Sequence, residues 1–242
     1  MGSIPVASDG PGPLNIPAME QSLIVEVPGG PGLDARLWAP AGPSAGLLLC
    51  HPHPLYGGDM DNPVIVRAAE VAQGVGLATL RFNFRGVGAS AGSHGGGVAE
   101  RDDVKAALAR MRSVVGAGGP VGLLGYSFGA WVAAHVAAEP GAGLPLCLVS
   151  PPLGMLDWTT VPPARPDLLV VAGNRDSYCP PPDLERFTAR LAGARTAVIE
   201  GADHFFFGKL YPMGEAVAAW CRDWAGASAA LPGEPGRRGG AG

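Results

Sequence analysis

Apolar residues recur along this chain in two rhythms. Mainly apolar runs stand at 46–50, 77–84, 121–126, 144–149, 168–173 and 196–200. Between them, at 63–74, 100–115, 182–191 and 209–225, apolar positions fall three and four apart, and the 128–138 stretch, also helix-length, is apolar nearly throughout. The first rhythm fits strands buried on both faces, the second amphipathic helices. Asn62 and Pro63 suit the cap and first position of the 63–74 helix. In 100–115, Val104, Ala107, Leu108 and Met111 share one face. Upstream, 22–27 and 33–38 flank Pro28-Gly29-Gly30-Pro31-Gly32, which reads as two antiparallel strands joined by a loop. Strands alternating with helices predict an α/β fold with a mostly parallel sheet covered on both faces. Ligands on such sheets bind at the carboxyl ends of the strands. The stretches 1–20 and 230–242 are rich in Gly and Pro without periodicity. They are expected to be flexible tails around one domain, 21–229.

Composition narrows the function. A hydrophobic fraction of 47% with 16% charged residues describes a globular chain with a sizeable core, and a net charge of −4 argues against nucleic acid as partner. No apolar run is long enough to span a bilayer. The first residues have neither a basic nor an apolar signal region, and Cys50, Cys147, Cys179 and Cys221 form no C-x-x-C pair. A cytoplasmic protein with core thiols is expected, without membrane or cofactor.

Gly125-Tyr126-Ser127-Phe128-Gly129 lies between the 121–126 strand and the 128–138 helix. With Gly at 38 of 242 positions, a bare G-x-S-x-G match decides little. Strand, turn and helix in that order are what make Ser127 a nucleophile candidate, its hydroxyl clear of the sheet at a helix N-terminus. As a plain residue it would be a helix cap. A neutral hydroxyl needs a base, and the base an orienting acid. Asp176 follows the 168–173 strand and His204 the 196–200 strand, giving the chain order Ser, Asp, His. The rivals are weaker: Asp157 lies in a Pro-rich stretch, Asp183 in a helix's first turn, His135 inside a helix and His94 in a Gly-rich loop.

The segment Cys50-His51-Pro52-His53-Pro54-Leu55-Tyr56-Gly57-Gly58 runs from a strand into a loop whose two prolines remove two N–H donors. An oxyanion hole there would draw on His53, Leu55 or Tyr56, with Leu55 the expected donor and Phe128 the second. A metal reading of His51 and His53 has permissible spacing but no further ligand cluster, so no metal is expected.

Four segments, HPHPLYGGDMDN (51–62), RFNFRGVGAS (81–90), GYSFGAW (125–131) and HFFFGKL (204–210), resemble a group of small bacterial serine α/β-hydrolases related to dienelactone-hydrolase-like and CocE/NonD-type proteins. The resemblance spans about residues 20–225. It implies the α/β-hydrolase fold with eight strands, a triad on Ser127, Asp176 and His204, and esterase-type chemistry on small acyl substrates. Dienelactone hydrolases use a cysteine nucleophile, whereas position 127 is serine, which favours carboxylic esters. Thioesterase, acyltransferase and small-peptide hydrolase chemistry would use the same triad, and a non-catalytic binding module would need none of it. The stretch 150–167 is too short for a large cap domain, so an open site for a small-molecule ester is expected. Tyr56, Trp158, Tyr178 and Phe205 are its candidate walls.

Overall fold

The computed structural model describes residues 20–159, 168–191 and 193–229. The strands are β1 (Gln21–Glu26), β2 (Gly32–Trp38), β3 (Gly46–Cys50), β4 (Ala78–Phe82), β5 (Val121–Tyr126), β6 (Leu146–Val149), β7 (Leu168–Gly173) and β8 (Arg195–Ile199). The helices are α1 (Pro63–Gly74), α2 (Glu100–Val115), α3 (Phe128–Ala137), α4 (Pro181–Ala189) and α5 (Leu210–Ala229). All eight strands join one sheet in the order β1-β2-β4-β3-β5-β6-β7-β8. β1, β2 and β4 pair antiparallel, and every pairing from β4 through β8 is parallel. This is an α/β-hydrolase fold.

Two apolar layers flank the sheet. Val104, Ala107 and Met111 of α2, Ala130 and Ala133 of α3, and Leu184 and Phe187 of α4 pack with Leu48, Leu123 and Val170 on one face. Val64, Ile65 and Ala68 of α1 and Met213, Val217 and Trp220 of α5 pack with Leu47, Leu124 and Val171 on the other. Strands β3 to β7 are buried on both faces, which is why they read as continuous apolar runs.

The expected tails lie outside the described residues, except Glu20. Its carboxylate pairs at 2.8 Å with the guanidinium of Arg81, a buried residue of β4. Arg81 also donates to the Met60 carbonyl at 2.7 Å and to Asp61 at 2.8 Å. Asn83 accepts from the Met60 amide at 2.9 Å, and the Phe84 amide donates to His51 Nε2 at 2.9 Å. Residues 81–84 therefore hold the segment following β3 from below. No helix among the described residues is long and apolar enough to cross a membrane.

Candidate active site

β5 ends at Tyr126, and Ser127 turns the chain sharply with φ 54 and ψ −118 before α3 begins. The turn leaves no room beside it. A Cβ on Gly125 would stand 2.2 Å from the Gly129 carbonyl oxygen, and one on Gly129 2.3 Å from that of Cys50. The two glycines are thus required by the close approach of α3 to β3 and β5. The Phe128 amide opens α3 and has no acceptor within the helix.

His204 lies on the loop after β8 and Asp176 on the loop after β7. Asp203 caps the first of these, accepting from the Phe205 amide at 3.1 Å and the Phe207 amide at 3.3 Å. Asn174 ties the two loops together, accepting from the Gly201 amide at 2.7 Å. The buried Tyr126 hydroxyl donates to the His204 carbonyl at 2.9 Å, fixing the histidine loop to the end of β5. Burial, then the charges of Asp176 and Asp203, raise the Tyr126 phenol, so it remains a donor.

His204 Nδ1 lies 3.0 Å from both carboxylate oxygens of Asp176, and Nε2 lies 3.0 Å from Ser127 Oγ. An ionised carboxylate only accepts, so Nδ1 carries the imidazole proton and Nε2 offers its lone pair to the serine hydroxyl. Asp176 is buried, and burial raises its carboxyl. The hydrogen bond and charge of His204, then the nearby Ser150 hydroxyl and the Cys179 amide, outweigh that and hold it below the ordinary carboxylate value. The Tyr178 and Cys179 amides donate to Asp176 Oδ1 at 2.8 and 3.0 Å. The three side chains, 28 to 77 positions apart in sequence, meet at the carboxyl end of the sheet.

No family model matches the chain. Over 91% of its length it superposes on 99% of the lidless α/β serine hydrolase XC6422 of Xanthomonas campestris, with TM-score 0.78 and 30% identity. An α/β serine hydrolase homologue of Coxiella burnetii gives TM-score 0.72 and 32% identity over 82% of this chain and 96% of that one. The chain belongs to the small bacterial serine α/β-hydrolases. The uncharacterized protein RP471 of Rickettsia prowazekii is 32% identical over 195 residues, 77% of this chain and 81% of the relative.

In this hydrolase a cavity of about 480 Å³ opens beside Ser127 and His204. Tyr56, Tyr178 and Phe205 line it, together with the rings of His53 and Phe128 and with Met155. No Lys, Arg, Asp or Glu is among its described lining residues. Two expectations do not survive the geometry. Trp158 is 5% exposed and packs edge-on against Phe187 at 5.4 Å, in the core under α4 and away from the cavity. The Leu55 amide already donates to His53 Nδ1 at 3.2 Å within the 3₁₀ turn Pro54–Tyr56, so it is not free to bind an oxyanion. The Tyr56 amide is also engaged, donating to the His53 carbonyl at 3.1 Å.

The paired histidines divide their roles. Both ring nitrogens of His51 are committed, Nδ1 to the Pro52 carbonyl at 2.7 Å and Nε2 to the Phe84 amide. It therefore has no lone pair free for a metal. Burial pushes its pKa down to about 4, against the Pro52 bond, which raises it. All four cysteines are buried free thiols, and burial raises each pKa, which leaves Ser127 as the nucleophile candidate at the site. Sequence reasoning missed Met155 and the rings of His53 and Phe128 as cavity walls. Their only signal was position, since each stands just past the carboxyl end of a strand.

Proposed function

We propose that the chain is a carboxylic ester hydrolase working through an acyl-enzyme on Ser127. The observation that carries this reading is the relay of 3.0 Å contacts from Asp176 through His204 to Ser127. His204 Nε2 takes the hydroxyl proton as Oγ bonds to the acyl carbon, and the carbonyl pair moves onto oxygen. The resulting imidazolium is stabilised by Asp176 and then gives its proton to the departing alkoxide. Water repeats the sequence on the acyl-enzyme, releasing the acid and restoring Ser127.

The oxyanion falls to two main-chain amides. Phe128 supplies one, following the nucleophile directly. The other is assigned to His53 in place of Leu55. Cys50 stands opposite Gly125 in the parallel register of β3 and β5, so residues 53 and 128 leave the sheet side by side. Their rings lie 4.7 Å apart, and the His53 amide meets no acceptor among the described residues. The uncharged, aromatic-lined cavity favours neutral esters with small or flat apolar acyl groups.

A fluorophosphonate probe tests the reading. The wild type should label and Ser127→Ala should not, and p-nitrophenyl esters should turn over best with short acyl chains. A wild type that neither labels nor hydrolyses these esters overturns the proposal, and a strong preference for long chains overturns the open-site part of it.

A further inference from the structure

The loop after β3 folds around His53. The His53 carbonyl accepts the Tyr56 and Gly58 amides at 3.1 and 3.0 Å, and its ring Nδ1 accepts the Leu55 amide. A nitrogen that accepts carries no proton, so the neutral ring is protonated on Nε2. The ring is wedged among Tyr56 and Phe128, each 4.7 Å away, and His94, 5.1 Å away. His53 thus caps the 3₁₀ turn with its side chain while its main-chain N–H stays uncommitted at the cavity.

We propose that the His53 ring is a positioning residue for the oxyanion amides: by tying back the Leu55 N–H it holds the turn closed, so that the His53 main-chain N–H stands beside that of Phe128. The inference rests on the ester-hydrolase reading of Ser127. A proton on Nδ1 would set two donors against each other and open the turn, so the loop works only with a neutral ring. The surroundings keep it so. Burial and the facing His94 lower the His53 pKa, while Glu100 raises it by less. Glu100 itself is buried, accepts the Gly95 and Gly97 amides at 2.7 Å, and lies 3.0 Å from His94 Nδ1. The other titratable groups lining the cavity are Tyr56, Tyr126, Tyr178 and His204.

The test compares His53→Asn, which keeps a side-chain acceptor at the cap, with His53→Phe, which keeps an aromatic ring and loses the acceptor. Asn ranks among the best cap residues, so His53→Asn should hold kcat within about threefold of the wild type. His53→Phe should lose roughly 10²-fold in kcat with a smaller change in KM, the signature of a lost oxyanion donor. On the acid side, wild-type kcat/KM should fall more steeply, by one further proton, than that of His53→Asn, because a proton on His53 Nδ1 opens the turn. Wild-type kcat in His53→Phe, an equal loss in both variants, an acid limb in His53→Asn as steep as the wild type's, or failure of His53→Asn to fold overturns the inference. If His53→Phe does not fold by circular dichroism, the acid limbs of the wild type and His53→Asn decide. A wild type that hydrolyses and labels normally while the variants disobey sinks only this inference, whereas an inert wild type sinks the function itself.

Discussion

Replacing Gly129 by alanine sets helix propensity against packing. Within α3, Ala is favoured over Gly by about 1 kcal/mol, so local preference says stabilise. The space says otherwise. The new methyl would stand 2.3 Å from the Cys50 oxygen and 2.4 Å from the His51 oxygen. The first of those carbonyls ends β3 and the second follows it directly, and β3 is paired on both sides by β4 and β5 and cannot yield cheaply. Ordinary contact starts near 3.4 Å, so the start of α3 must retreat by about 1 Å (3.4 − 2.3). Ser127 and the Phe128 amide move with it, and the 3.0 Å contact from Ser127 Oγ to His204 Nε2 is stretched beyond hydrogen-bond range. A misplacement of about 1 Å costs on the order of 10²-fold in rate. At 1.36 kcal/mol per tenfold, that is about 2.7 kcal/mol of barrier. The overpacking itself should cost about 1–3 kcal/mol of stability. The assay is kcat/KM on a short-chain p-nitrophenyl ester together with urea unfolding. Gly74→Ala serves as control, because a methyl there meets nothing within 4 Å. A Gly129→Ala enzyme that stays within about threefold of wild-type kcat/KM would refute the steric argument, since the rate loss of about 10²-fold depends on that retreat.

Asp176→Asn should lower kcat by about 10⁴-fold at neutral pH while KM changes little, because an amide no longer fixes the Nδ1–H tautomer of His204; steady-state kinetics with retained circular dichroism checks it. Asn83→Ala should destabilise by about 1–3 kcal/mol in urea, because it strips the buried Met60 amide of its acceptor. His51 is held neutral, with a pKa of about 4 against an ordinary 6.5, so its contribution is complete above about pH 6.5 and is lost as pH falls toward 4. Over those 2.5 pH units (6.5 − 4) the loss approaches about 3 kcal/mol at 1.36 kcal/mol per unit. Urea unfolding at pH 7 and pH 4.5 should therefore give a shallower acid loss in His51→Gln, and an equal loss would count against the assignment.

Much of the fold was legible because the central strands are buried on both faces, so their apolar runs stand out against the helices. That Ser127, Asp176 and His204 meet was legible through position, each just past a strand end and in the order Ser, Asp, His. Trp158 was not, because the pattern of an irregular Pro-rich stretch does not say whether an aromatic ring turns toward the cavity or under α4. Leu55 was not, because its fate depends on whether a neighbouring imidazole accepts its amide, a matter of angles that letters do not carry. The burial of Arg81 within the 77–84 strand was not legible either. Arg81 is buried because carboxylates and a carbonyl from positions 20, 60 and 61 converge on it, contacts too remote in sequence to anticipate.

How three side chains from separate loops reach a common point follows from how each loop leaves the sheet. The Ser127 amide donates to the Val149 carbonyl at 2.9 Å, the Ser150 amide to Val171 at 2.7 Å, and the Asn174 amide to Ile199 at 3.2 Å. In each case the first residue past a strand bonds to a residue of the next strand, the last one for Val149 and Ile199, so the parallel ladder continues one step beyond the shorter strand. The loops after β5, β6 and β7 are thereby registered on one another before any side chain is considered. Ser127, Ser150 and Phe206 are the described non-glycine residues with positive φ, and all three lie in loops past strand ends around the triad. Such conformations cost on the order of 1–3 kcal/mol each and persist only where the surroundings over-determine them. Ser127 and Ser150 are pinned by this ladder, and the backbone around Phe206 by bonds to Asp203 and from Lys209. The geometry of the candidate triad is therefore a property of strand register. Substitutions that shift β6 or β7 along its neighbours should pull apart the Ser127–His204–Asp176 relay even when none of the three is touched.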